Sequence, residues 1–95
     1  PDVTVGDNTV LSYNVSVTHS THIGKNCYLA FGVMLGAYTI VEDFVFIGIG
    51  AIVISGKVDS IGTFASIGAG AVVTKSVASY ECVAGNPAKF IKTLK

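Results

Sequence analysis

From Val5 onward every sixth residue is a branched aliphatic for nine hexads: Val5, Leu11, Val17, Ile23, Leu29, Leu35, Val41, Ile47 and Val53. A period of six belongs neither to the 3.6-residue helix nor to the two-residue alternation of a strand. It marks a solenoid in which one short strand and one corner are rebuilt every six residues. The remaining positions of the hexad agree. The second is mostly small, as at Gly6, Gly24, Gly36 and Gly48, and the fifth is small or β-branched, as at Thr9, Thr21, Cys27, Val33, Thr39 and Val45. The fourth often tolerates a left-handed backbone, as at Asn8, Asn14, Asn26, Gly32, Gly50 and Gly56. The first position therefore points into a narrow core and the fourth makes the corner.

After Val53 the next clear hits are Ile61, Ile67 and Val73. The frame slips by two, and residues 56–60 read as a bulged corner carrying two extra residues. The expected fold is all-β, a parallel solenoid of hexapeptide repeats with about 18 residues per coil. Residues 1–78 form its four to five coils, stacked about 4.8 Å apart. Residues 79–95 form a C-terminal loop and capping tail, with Pro87 ending the repeat. The repeat is in frame almost from the first residue, and an uncapped coil exposes strand edges and apolar core. The expectation is that a partner covers that end or that the chain is the C-terminal part of a longer protein.

Six Lys and Arg balance six Asp and Glu, so no basic surface argues for nucleic acid. Hydrophobic residues make up 51% of the chain but are interleaved with Gly, Asn, Ser and Thr. No run has the length of a membrane span and no signal peptide is visible. Cys27 falls at an inward fifth position and Cys82 in the tail, so neither suggests a disulfide, and a cytoplasmic location fits both.

The two histidines, His19 and His22, take third and sixth positions and point outward. The ordinary reading of either is a solvated side chain. The functional reading is a general base, because acyl transfer to an amine or hydroxyl requires a proton to be removed as the acceptor attacks. Tyr13, Phe31, Tyr38, Phe44 and Phe46 also fall at outward positions. So much exposed aromatic surface on a small chain is expected to be a subunit interface.

Four segments go beyond a bare repeat: LSYNVSVTHSTHIG, IGKNCYLAFGVMLGAYTIVEDFVFIGIGAIVISG, IGAGAVVTKSV and VAGNPAKFIK. They make the chain resemble the hexapeptide-repeat acyltransferases, most closely the sialic acid and bacillosamine-type sugar O- and N-acetyltransferases. The resemblance implies a left-handed parallel β-helix, a hand that the usual right-handed crossover preference would not predict. It implies an acetyl-CoA-dependent acetyltransferase acting on an amino or hydroxyl group of a sugar or nucleotide sugar. It also implies a homotrimer with sites between subunits and no metal. By the same resemblance His19 is the catalytic base and the backbone N–H of Ala37, one coil on, donates to the thioester oxyanion. Ile49 and Ala69 would contact the pantetheine arm. Thr74, Lys75, Lys89 and Lys92 would meet the phosphates, and the Gly85-Asn86-Pro87 turn matches the family motif, with Gly85 and Pro87 beside the cofactor.

One departure stands out. Relatives carry an acidic residue directly after the histidine, where this chain has Ser20. A serine can hydrogen-bond an imidazole but cannot stabilise an imidazolium by charge. Orientation is then expected from Asn14 or from a neighbouring subunit. The alternative reading is a catalytically inactive trimeric scaffold, or a fragment of a longer acetyltransferase. A zinc-dependent carbonic anhydrase needs three converging imidazoles, and ranks below both.

Overall fold

The computed structural model describes residues 3–95, and the described chain consists of short strands with no helix. Three faces form a parallel solenoid. Face A stacks β1 (Val3–Val5), β4 (Thr21–Ile23), β7 (Ile40–Val41) and β10 (Ser60–Ile61). Face B stacks β2 (Val10–Leu11), β5 (Tyr28–Leu29), β8 (Phe46–Ile47), β11 (Ser66–Ile67), β13 (Glu81–Ala84) and β14 (Lys89–Thr93). Face C stacks β3 (Ser16–Val17), β6 (Met34–Leu35), β9 (Ile52–Val53) and β12 (Val72–Val73).

The aliphatic at the first hexad position is the inward residue of each strand. Leu29, Leu35, Val41, Ile47 and Val53 are buried almost completely. The fifth position adds Val33, Val45 and Ala51 to the same core. Thr21 and Thr39 are buried there too, and each hydroxyl is spent on a carbonyl, Gly36 at 3.1 Å and Val58 at 3.0 Å. Cys27 is a free thiol, 2% exposed. Burial pushes that thiol above its ordinary value, so it stays neutral and donates to the Glu42 carbonyl at 3.0 Å.

The corner lies at the fourth position in every hexad from Asn8 to Gly56. Asn8, Asn14, Ser20, Asn26, Tyr38 and Phe44 all have φ near +60°, and Gly32, Gly50 and Gly56 lie between +70° and +75°. The left-handed corner thus extends to Ser20, Tyr38 and Phe44, whose side chains do not advertise it. An L-residue there costs roughly 1–2 kcal/mol. At Phe44 the cost is offset by stacking. Its ring lies parallel to Phe64 at 4.7 Å, Phe64 stacks on Tyr80 at 5.2 Å, and Lys95 Nζ sits 5.3 Å above the Tyr80 ring.

Register follows the hexad and then departs from it twice. In the first coils Ile23 pairs with Val41, Leu29 with Ile47 and Leu35 with Val53. The next coil is two residues longer, with Val41 on Ile61, Ile47 on Ile67 and Val53 on Val73. The extra pair sits between β9 and β10, where the slipped frame put it. The last coil is correspondingly shortened, with Val77 on Ile61 and Val83 on Ile67. The repeat pattern had not identified Val77 and Val83 as core positions. Beyond them the chain turns through Gly85 and Pro87, and β14 returns antiparallel to β13. Val83 and Ala88 are buried, while β14 itself is exposed.

Candidate active site

His19 stands at the corner where face C turns into face A. Two features of the local sequence hold it there. Ser20 takes the left-handed corner conformation, φ +57°, and the inward Thr21 hydroxyl lies 3.2 Å from the His19 carbonyl. The imidazole is exposed and its Nδ1 lies 3.2 Å from the Ser20 hydroxyl. Tyr38, one coil on, meets the ring edge-on at 5.3 Å between centroids and 88° between planes. Ser20, the residue in the place of the usual acid, is therefore the hydrogen-bond partner of His19 within the chain. Asn14, the expected alternative, lies at the other end of β3. With Nδ1 engaged, Nε2 is the nitrogen left facing solvent.

Ala37 occupies the same hexad position one coil above His19, and Ser55 the same position one coil above Ala37. The Ala37 N–H donates to Ser55 Oγ at 2.8 Å. Beside this column a narrow apolar groove of about 170 Å³ runs along face C, lined by Thr18, Met34, Leu35, Gly36, Val53 and Ser55. Neither Tyr38, as a ring packed on His19, nor Ser55 was singled out for the site by sequence reading. The signal was available: Tyr38 and Ser55 sit one and two coils from residues already flagged.

Most of the expected CoA contacts border this same face. Ile49 and Ala69 are stacked at the corner where face B turns into face C, and a Cβ on Gly48 would come within 2.6 Å of the Ala69 nitrogen. Thr74 and Lys75 follow β12 at the opposite corner, the one shared with His19 and Ala37. They line a hollow of about 130 Å³ with Ala88 and Phe90. The Gly85–Pro87 turn is fastened to β12, since Val72 N–H donates to the Gly85 carbonyl at 2.9 Å and Ala88 N–H to the Val72 carbonyl at 2.8 Å. Lys89 opens β14 opposite Ala84, next to that turn. Lys92 is set apart. It pairs with Cys82, whose register runs down face B through Ser66 to Phe46.

His22 faces out from the middle of face A. Its Nδ1 lies 2.7 Å from Thr4 Oγ1, and it borders an open cleft of about 430 Å³ with Ile40, Glu42, Asp43 and Thr63. Both carboxylates of the cleft are committed to backbone N–H groups, Glu42 to Thr63 at 3.1 Å and Asp43 to Lys25 at 2.8 Å. Among the described residues no three His, Cys, Asp or Glu side chains converge in a way that could hold a metal ion.

Known proteins share this architecture. The family described as bacterial transferase hexapeptide, six repeats, matches residues 1–37. Over 97 residues the chain is 36% identical to a Schizosaccharomyces pombe protein named as an acetyltransferase, an alignment covering 98% of this chain and 44% of that protein. The chain thus spans less than half the length of that relative. The crystal structure of the polySia-specific acetyltransferase NeuO is similar at 31% identity and a TM-score of 0.89, over 97% of this chain and 52% of its own. The serine acetyltransferase of Brucella abortus in complex with coenzyme A is similar at 26% identity and a TM-score of 0.85, over 98% and 40%. With its repeat, its three stacked faces and these likenesses, the chain belongs to the hexapeptide-repeat acetyltransferase family and has that family's left-handed parallel β-helix fold.

Proposed function

We propose that this chain carries the active site of an acetyl-CoA-dependent acetyltransferase whose acceptor is an amino or hydroxyl group of a sugar or nucleotide sugar. The observation that carries the reading is the setting of His19. It is a solvent-facing imidazole at a corner, with Nδ1 held by Ser20, Tyr38 at its edge, and an apolar groove that begins at the adjacent Thr18.

In this reading His19 Nε2 accepts the proton of the acceptor as its N or O attacks the thioester carbonyl carbon. The carbonyl π pair moves onto oxygen, where a hydrogen-bond donor of the Ala37 corner stabilises it. Collapse of the tetrahedral intermediate expels the CoA thiolate, which takes the proton from the imidazolium. The acetyl group leaves on the acceptor, with no covalent enzyme intermediate. The pantetheine arm would lie along face C between the Ile49–Ala69 corner and the Thr74–Lys75 corner. Lys75 and Lys89, with Gly85 and Pro87 beside them, would face the phosphates. Lys92 would reach an anionic ligand only from face B.

The name of the polySia-specific enzyme supports a sugar acceptor, and the CoA complex of the serine acetyltransferase supports the donor. The reading includes a homotrimer with sites between subunits, supported by the exposed aromatics, and a cytoplasmic location, supported by the donor and by two free thiols.

Replacement of His19 by Ala is expected to lower kcat by about 10²- to 10⁴-fold. CoA binding, measured by calorimetry, should be unchanged. Full activity in that variant would remove His19 from the mechanism. Ser20 in place of an acid favours one competing reading, an inactive scaffold, and that reading predicts no saturable CoA binding by the unaltered protein.

A further inference from the structure

We propose that the Ser55 hydroxyl is the group that donates to the thioester oxygen, with the Ala37 N–H standing behind it as the group that holds and polarises it. The inference rests on the acetyltransferase reading above and assigns one further catalytic residue to it.

A backbone amide has a single proton, and that of Ala37 is committed to Ser55 Oγ at 2.8 Å, a short bond of its kind. A hydroxyl offers one donor and two acceptor sites. Ser55 uses an acceptor site on Ala37, and among the described residues no group accepts its own proton. The side chain is exposed and lines the apolar groove with Met34 and Gly36. Of the groove hydroxyls, that of Thr18 is spent on the Leu35 carbonyl, while those of Ser16 and Ser55 have no acceptor among the described residues, and Ser55 is the one that stands on the Ala37 corner, in the same column as His19. An O–H whose oxygen already accepts an N–H bond is a stronger donor, by about 10–30% in such chains.

The geometry is built rather than incidental. Gly36 lets the two coils close on each other here: a Cβ at that position would lie 2.6 Å from both Ser55 Cα and the Val53 carbonyl oxygen. His19, Ala37 and Ser55 take the same hexad position in three successive coils. The base and the hydroxyl therefore flank the amide at a separation of about two coil spacings, roughly 10 Å between backbones. An imidazole, an acceptor atom and a carbonyl group fill that interval.

The test compares Ser55→Ala and Ser55→Thr in the full chain with the unaltered protein. The probes are acetyl-CoA turnover, CoA, and acetonyl-CoA, a ketone that keeps the carbonyl and cannot transfer. Ser55→Ala is expected to lower kcat by about 10²-fold, the scale of losing one oxyanion donor. It should weaken acetonyl-CoA about 10-fold while leaving CoA binding and the KM for acetyl-CoA unchanged. Ser55→Thr, which keeps the hydroxyl, should restore most of both losses. If Ser55→Ala matches or exceeds the unaltered protein in kcat and in acetonyl-CoA affinity, the amide donates directly and this inference falls alone. If the unaltered protein neither binds CoA nor transfers acetyl groups, the acetyltransferase reading falls with it.

Discussion

Glycines of this chain do two different jobs, and the hexad separates them. At Gly36 the backbone lies in the usual region and the neighbouring coil is the constraint, because a Cβ would run into Ser55 and Val53 backbone atoms. At Gly50 nothing lies within 4 Å of a Cβ, and the constraint is φ of +70°. Gly36→Ala must push two coils apart and is expected to cost about 1–3 kcal/mol, as overpacking does. It should also lower acetyl transfer, since it displaces Ser55 from Ala37. Gly50→Ala is expected to cost about 1–2 kcal/mol through backbone strain alone. It should leave transfer intact. Urea midpoints and turnover of the two variants check both halves. The same division governs what could be read of the site. The outward position of His19 follows from the hexad. The Ser20 contact to Nδ1 and the commitment of the Ala37 amide depend on side-chain rotamers that a period of six does not encode.

Strands of two residues have no independent stability, so each element exists only through the coils above and below it. Burial along a column records this. Ile47 has coils on both sides and is fully buried, whereas Val5 belongs to the first described strand and is 44% exposed. Ile47→Ala is expected to cost about 2–5 kcal/mol, as for other large core truncations. Val5→Ala, at an equivalent hexad position, should cost well under half as much. Thermal or urea denaturation of the two variants tests the contrast. At this scale the sequence was legible as far as the pattern repeated. Strand positions, corners and the two-residue slip before Ser60 are all visible in the spacing of aliphatics. The compensating shortening before Val77 was not, because Val77 and Val83 follow Val73 at intervals that a fixed ruler of six passes over. The returning strand β14 was read only as a tail. Its pairing to Glu81–Ala84 depends on a turn at Gly85–Pro87 that interrupts the period.

In the whole molecule, stacking gathers residues distant in sequence onto face C. Ile49 and Ala69 line one of its edges, Ala37, Ser55, Thr74 and Lys75 the other, and the Gly85–Pro87 turn closes its end. Of the exposed aromatics, Tyr13, Phe31 and Tyr38 stand at the two corners that border this face. Tyr13, 77% exposed, meets Phe31 edge-on at 5.8 Å at the corner that also carries Ile49. In the proposed trimer that corner is covered by a neighbouring chain. Light scattering is expected to give three chains per particle. Phe31→Glu should shift the population toward monomer and reduce transfer, with circular dichroism unchanged, because the side chain is outside the core. A monomeric unaltered protein with full activity would sink the trimer.

What the sequence determined by itself was a matter of period. Side-chain direction in a strand alternates, and a corner every six residues resets it, so a one-dimensional spacing is enough to assign inside, outside and turn. It was enough to put His19 and the aromatics on the surface and Cys27 in the core. What only the tertiary structure decided was lateral and local: which corner each residue occupies after two changes of coil length, and which hydrogen bonds are already spent. The turn at Gly85–Pro87 sends β14 back along β13, so Lys92 could be numbered with Lys75 and still lie on another face. The hydrogen bond from the Ala37 amide joins residues eighteen apart through a side-chain atom whose orientation depends on packing, so its partner became visible only once the coils were stacked.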